Sequence, residues 1–194
     1  MKITAIIGSP RTQGHGAAIV RALLERLGEG GKRAKVYELN RLSYRGCQAC
    51  MSCKSTSEVC VAEDDLRAVL EDVRLSDLVV ISAPVYMGEI NAQAKGLLDR
   101  FYSYLKPDFR TNPGATRLDP GKKLVFILTQ GNPDELSYGA VLERHLRTFG
   151  MCGFKKVYPV VATGARAGSE VRLDAKTIAR VAETAEAILA RQPG

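Results

Sequence analysis

No apolar run in this 194-residue chain approaches the roughly 20 residues needed to cross a bilayer, so no membrane-spanning helix is expected. Basic residues never run longer than a pair, as at Lys122-Lys123 or Lys155-Lys156, and aromatics make up only 6% of the chain. With no basic stripe interleaved with rings, neither nucleic acid nor a membrane surface is an expected partner. Internal repeats, linkers and low-complexity stretches are also lacking. The opening MKITAIIGSP shows one Lys, a short apolar run and a turn, without the small-residue cleavage site of a secretory leader, so the expected compartment is the cytoplasm.

What is present points to one compact domain over residues 1–194. Hydrophobic residues make up 45% of the chain, which excludes disordered and fibrous architectures. The 28 Lys and Arg exceed the 21 Asp and Glu, for a net charge of +7. That balance suits phosphate-bearing small molecules or acidic redox proteins, and equally a merely solvated basic surface.

Apolar, β-branched runs alternate with helical patterns from end to end. Strands are expected at 3–8, 34–39, 78–83, 123–129 and 157–162, and helices at 17–27, 65–73, 92–105, 138–149 and 174–191. Leu66, Val69, Leu70 and Val73 repeat at helical spacing, whereas 78–83 is nearly unbroken apolar sequence, as in a strand covered on both faces. Strict alternation predicts a doubly wound α/β domain with a five-stranded parallel sheet of order 2-1-3-4-5. Its ligand would sit at the carboxyl ends of strands one and three. Two connections, 40–63 and 106–122, are longer than such a fold needs, which marks them as functional.

The first crossover reads Gly8-Ser9-Pro10-Arg11-Thr12-Gln13-Gly14-His15-Gly16 and feeds a helix. A Gly-rich, hydroxyl-bearing loop at a helix N-terminus offers free N–H groups to an anion, the makings of a phosphate cradle. A nucleoside-triphosphate loop needs glycines five apart followed by Lys; here Gly8 and Gly14 are six apart and His15 follows. The dinucleotide fingerprint G-x-G-x-x-G fails too, leaving a monophosphate. After the third strand, Pro84 is expected to stop the strand, Tyr86 and Met87 offer an aromatic face and a thioether, and Gly88 permits close backbone approach to a flat ligand.

These loops, Gly8-Ser9-Pro10-Arg11, Ala83-Pro84-Val85-Tyr86-Met87-Gly88 and Thr129-Gln130-Gly131-Asn132-Pro133, resemble the NAD(P)H-dependent FMN reductase branch of the flavodoxin-like fold. The resemblance runs over nearly the whole chain. It implies that Ser9, Arg11, Gln13 and the amides through Gly14, His15 and Gly16 hold the FMN phosphate. Pro84, Val85, Tyr86, Met87 and Gly88 would line the ring, with Gln130, Gly131 and Asn132 nearby. Where the family often has Gly-Asn-Ser/Thr, this chain has Gly14-His15-Gly16, and His15 would replace the missing hydroxyl contact. No catalytic acid or base is implied, because the flavin carries the chemistry. Relatives of this kind are usually dimers or tetramers, and 106–122 is the expected intersubunit contact.

The loop at about 44–63 holds Cys47, Cys50, Cys53 and Cys60 as C-x2-C-x2-C-x6-C. The two spacings among the first three cysteines match those that wrap bacterial ferredoxin cubes. Disulfides are disfavoured in a reducing cytosol, while redox-active free thiols and a four-thiolate zinc remain open beside an iron–sulfur cluster. The pattern also resembles the iron-sulfur flavoproteins, which combine FMN with a 4Fe-4S cluster. Expected exchange partners are then NAD(P)H, ferredoxin-type donors, and quinone, flavin or other small acceptors. A non-enzymatic electron carrier and a zinc-binding regulatory module are the competing functions. His145 is expected to be a surface or half-buried residue, and Cys152 a small buried hydrophobe.

Overall fold

Every residue of β1 (Ile3–Ile7) is buried, and the side chains divide between two layers. Ile6 lies level with Ile81 of β3 (Leu78–Tyr86) and Phe126 of β5 (Lys123–Thr129), all in one core. Ala5, Val80 and Val125, the neighbours one step back, face the opposite core. Period-two alternation in strands apolar on both sides therefore produces a sheet sandwiched between helices. The computed structural model describes residues 1–166 and 171–190.

Leu66, Val69, Leu70 and Val73 of α4 (Leu66–Leu75), Leu97 and Leu98 of α5 (Ala92–Arg100) and Phe149 of α6 (Gly139–Cys152) cover the first face. Ile19, Val20 and Leu23 of α1 (His15–Arg26) and Val181, Ala185 and Ile188 of α7 (Ala175–Leu189) cover the second. The remaining elements are β2 (Lys35–Glu38), the two-residue β4 (Glu89–Ile90), β6 (Lys156–Ala162) and the four-residue α2 (Glu29–Lys32) and α3 (Ser52–Ser55). The sheet order is β2-β1-β3-β5-β6, with β4 antiparallel to β3 beyond the main path. Setting β4 aside, this is the expected 2-1-3-4-5 order, and its topological switch falls between β1 and β3.

Several expected boundaries move, each for a local reason. The first helix begins at His15 rather than residue 17, so His15 and Gly16 belong to its first turn. Pro84 does not stop the third strand, which runs on to Tyr86. Proline lacks an N–H but keeps its carbonyl, which accepts from the Asn91 amide at 3.0 Å where β3 doubles back. The 92–105 helix tightens at Phe101–Tyr104 into a 3-10 turn, and the expected closing helix reaches residue 191, which lies outside the described residues. No helix among the described residues is long and apolar enough to cross a membrane.

Candidate functional site

The carboxyl ends of β1, β3 and β5 meet at one rim. Gly8 continues the β1 ladder, its N–H donating to the Ser82 carbonyl at 2.8 Å. A Cβ at Gly8 would lie 2.6 Å from that carbonyl oxygen, and one at Gly16 would lie 3.2 Å from the Ser82 hydroxyl. The loop thus lies against β3 so closely that only glycine fits at its first residue. Ser9 is buried and its Oγ accepts the Arg11 amide at 3.1 Å, while the Gly14 amide donates to the Arg11 carbonyl at 3.0 Å. Gly14 precedes α1 with no capping side chain, so the first-turn N–H groups face the loop with the positive end of the helix dipole behind them.

Around this turn stand polar atoms that are buried yet unbonded within the chain: Ser82 Oγ, Asn91 Oδ1, Gln130 Oε1 and His15 Nδ1. Such atoms are costly unless a ligand or water satisfies them. Burial and the neighbouring Arg11 hold the His15 imidazole below its ordinary 6.5, leaving it neutral at physiological pH. The Arg11 guanidinium reaches the Arg166 carbonyl at 3.2 Å, and the exposed Gln13 accepts from Arg21 at 3.3 Å. An orphaned buried polar set, a glycine cradle and an uncapped helix are what a phosphorylated, flat coenzyme such as FMN requires, so these residues fit that group.

The β3–β4 hairpin supplies the wall. Pro84 is buried and Val85 half-buried, Tyr86 is exposed, and Met87 is fully exposed. Met87 and Gly88 both adopt positive φ, +49° and +81°, to make the tight return. Glu89 fixes that return: its Oε1 accepts from the Ile90 amide at 2.8 Å and lies 2.7 Å from His145 Nε2. Burial alone would raise the Glu89 carboxyl, but the bonds from His145 and the Ile90 amide, with the charge of Arg144, together outweigh it, so its pKa falls below the ordinary 4.5. His145 is therefore not the surface or half-buried residue expected; only 5% exposed, it packs beside Phe126 and Phe149 because the partly exposed Glu89 carboxylate satisfies its ring. Gln130 is buried and donates its amide to the Asp134 carbonyl at 2.6 Å, shaping the turn in which Gly131 and Asn132 stand exposed.

The cysteine loop is held against α5. Gly46 and Gly96 approach closely, and the Tyr44 hydroxyl donates to the Gln93 carbonyl at 2.8 Å. Cys47, Cys50, Cys53 and Cys60 all line one small concavity of about 40 Å³, closed by Arg100 and Tyr102. Arg100, only 1% exposed, donates to Cys60 Sγ at 2.9 Å, to Asp64 Oδ2 at 2.8 Å and to the Arg45 carbonyl at 3.0 Å. Lys54 reaches Cys53 Sγ at 3.5 Å and anchors on the Tyr102 and Leu105 carbonyls at 2.6 and 2.8 Å. Hydrogen bonds to Ser52 hold the exposed Cys50 thiol below its ordinary value. By contrast, burial pushes Cys152 up to about 12, the inert buried thiol expected.

A tetrahedral zinc, with Zn–S near 2.3 Å, needs sulfurs about 3.8 Å apart. Among the described residues no three His, Cys, Asp or Glu side chains are gathered to hold a single ion. The four thiols share the lining of one concavity, with Lys54 beside Cys53 and Arg100 beside Cys60.

Ser82, Asn91, Lys54 and Arg100 were not among the residues singled out in the sequence. Arg100 carried a signal there, since it falls three residues after Leu97 on the apolar face of its helix.

An iron-sulfur flavoprotein of Methanosarcina thermophila is 38% identical over 100 residues, 52% of this chain and 52% of that protein. The FMN-dependent NADH:quinone oxidoreductase 2 of Pseudomonas aeruginosa is 36% identical over 125 residues, 63% of this chain and 60% of that one. The chain spans about half the length of the first of the curated relatives it matches. Among solved structures, the NAD(P)H:quinone oxidoreductase from Methanothermobacter marburgensis superposes with a TM-score of 0.69 at 18% identity, covering 100% of this chain and 98% of that one, a likeness of fold. The family model for the flavodoxin-like fold matches residues 1–188, and the chain belongs to that family.

Proposed function

We propose that the chain is an FMN-dependent oxidoreductase that takes electrons from NAD(P)H or a ferredoxin-type donor and passes them to quinones, flavins or other small acceptors. The observation that carries this reading is the rim of buried, unbonded polar atoms, Ser82 Oγ, Asn91 Oδ1 and Gln130 Oε1, around the uncapped start of α1. When bound, FMN accepts a pair of electrons and releases them singly or in pairs. Ser9, Arg11 and the amides of residues 13–16 hold its phosphate; Arg11 supplies charge and the helix N-terminus a fixed dipole. Tyr86 and Met87 present flat and polarizable surface to the ring, and Glu89 with His145 holds the turn in place. Gln130 sets the shape of the third loop.

We assign Cys47, Cys50, Cys53 and Cys60 as ligands of a 4Fe-4S cluster, a one-electron port that would serve a ferredoxin-type partner. Support comes from their common concavity, the cations at Cys53 and Cys60, and relatives bearing the name iron-sulfur flavoprotein. The four free thiols suit a reducing cytoplasm, and assembly as a homodimer or homotetramer is part of the same proposal.

The test is an anaerobic preparation with FMN added. Quenching of flavin fluorescence at one FMN per chain, followed by NADH- or NADPH-dependent reduction of a quinone, is the expected result; no quenching removes the flavin reading. Cys50→Ser should lose iron and keep FMN, and full iron in that variant would overturn the ligand assignment.

A further inference from the structure

Behind Cys60 lies a second cavity, of about 260 Å³, walled by Val59, Leu70 and Tyr104. It shares Cys60 and Ser103 with the cysteine concavity, and no residue of the three rim loops lines it. Its volume lies just under the low end of small-molecule sites, about 300 Å³, which restricts the occupant to a small molecule. The walls are built rather than incidental. Leu70 and Tyr104 are buried, and the Tyr104 hydroxyl is satisfied by the Leu70 carbonyl at 2.8 Å, so that side chain brings no unmet polar group to the wall.

The charges at its edge decide the kind of occupant. Glu71 and Arg74 neutralise each other through a two-pronged pair at 2.6 and 2.8 Å. Arg117 directs its three hydrogen bonds to the carbonyls of Ser103, Leu105 and Cys53, so its charge meets no carboxylate at hydrogen-bond distance among the described residues. Arg67 has only a loose contact with Glu63 at 3.8 Å, both side chains being exposed. Glu58, exposed at the lip, is the one acidic lining residue outside the Glu71–Arg74 pair. Three arginines against two glutamates leave the lining with an excess of one positive charge.

We infer that this cavity is a ligand site, separate from the flavin rim, for a small planar apolar molecule bearing a single anionic group. The ring lies between Leu70, Tyr104 and Val59, and the anion meets Arg67 and Arg117. Cys60 forms the shared wall, so an occupied cavity lies directly behind a sulfur of the cysteine site. The inference does not depend on FMN or on a cluster.

Calorimetric titration of the FMN-loaded protein with 2-naphthoate tests it, with neutral 2-naphthamide as control. Saturable one-to-one binding near about 0.1 mM is expected from the atom count of the probe. The amide should bind about tenfold more weakly. Val59→Trp, which fills the cavity from a half-exposed wall, should weaken 2-naphthoate about tenfold, and Arg67→Glu should weaken the acid but not the amide. Both variants should keep the wild-type thermal unfolding transition, which shows that they fold. No saturable binding, or undiminished binding by a folded Val59→Trp variant, would overturn the assignment.

Discussion

At the residue scale, Arg100 carries more of the cysteine loop than any single cysteine. A guanidinium that is 1% exposed must be both paired and hydrogen-bonded to be tolerated, and Asp64, Cys60 and two carbonyls provide this. Removing it strands the Asp64 carboxylate, so Arg100→Gln should destabilise the chain by about 3 kcal/mol in urea unfolding while leaving FMN affinity at the distant rim unchanged. A cost below about 1 kcal/mol would show that the loop is held otherwise. The pair also has a pH signature. Burial raises the Asp64 carboxyl, but bonds from Arg100 and the Arg45 and Leu66 amides outweigh burial, and its pKa in the fold lies below the ordinary 3.8. Its contribution is therefore complete above about pH 4 and disappears as pH falls through the folded value. Asp64→Asn should flatten that part of the acid limb.

At the element scale, the site depends on how closely the first loop meets β3. A methyl at Gly8 would lie 2.6 Å from the Ser82 carbonyl and 3.0 Å from Ala94 Cβ, atoms of β3 and α5 that cannot move aside. Gly8→Ala should cost about 1–3 kcal/mol and sharply weaken FMN binding, because the strain falls on the loop proposed to hold the phosphate. Gly139→Ala, at the first residue of α6 with open space around it, is the matched control and should be neutral or stabilising by up to about 1 kcal/mol. Thermal melts and FMN titration of both variants read the contrast. The need for glycine here was legible in the sequence, since the residue ends an apolar run ahead of a polar loop. The start of α1 was not, because His15 and Gly16 carry no helical periodicity and Gly14 offers no capping side chain to mark the boundary.

At the scale of the whole molecule, sheet order and layering were legible because they follow from alternating runs that any parallel sheet must contain. The four cysteines could likewise be grouped by spacing, since they lie within one loop. What stayed hidden were partners brought together across the chain: Arg117 on the Cys53 carbonyl, Arg100 on Cys60 and Glu89 on His145 are 64, 40 and 56 residues apart. No local pattern encodes such pairs. Net charge is a whole-molecule property of a different kind, and +7 was compatible with either a steering field or a wet surface. If the field steers, kcat/KM for NADPH should fall about three- to tenfold as ionic strength rises from about 0.01 to 0.15 M, where the screening length shrinks from roughly 30 to 8 Å. NADPH, with one phosphate more than NADH, should show the steeper slope, and kcat should hold constant because screening acts on encounter rather than on the bound state. Equal or flat slopes for the two donors would assign the excess lysines and arginines to solvation alone.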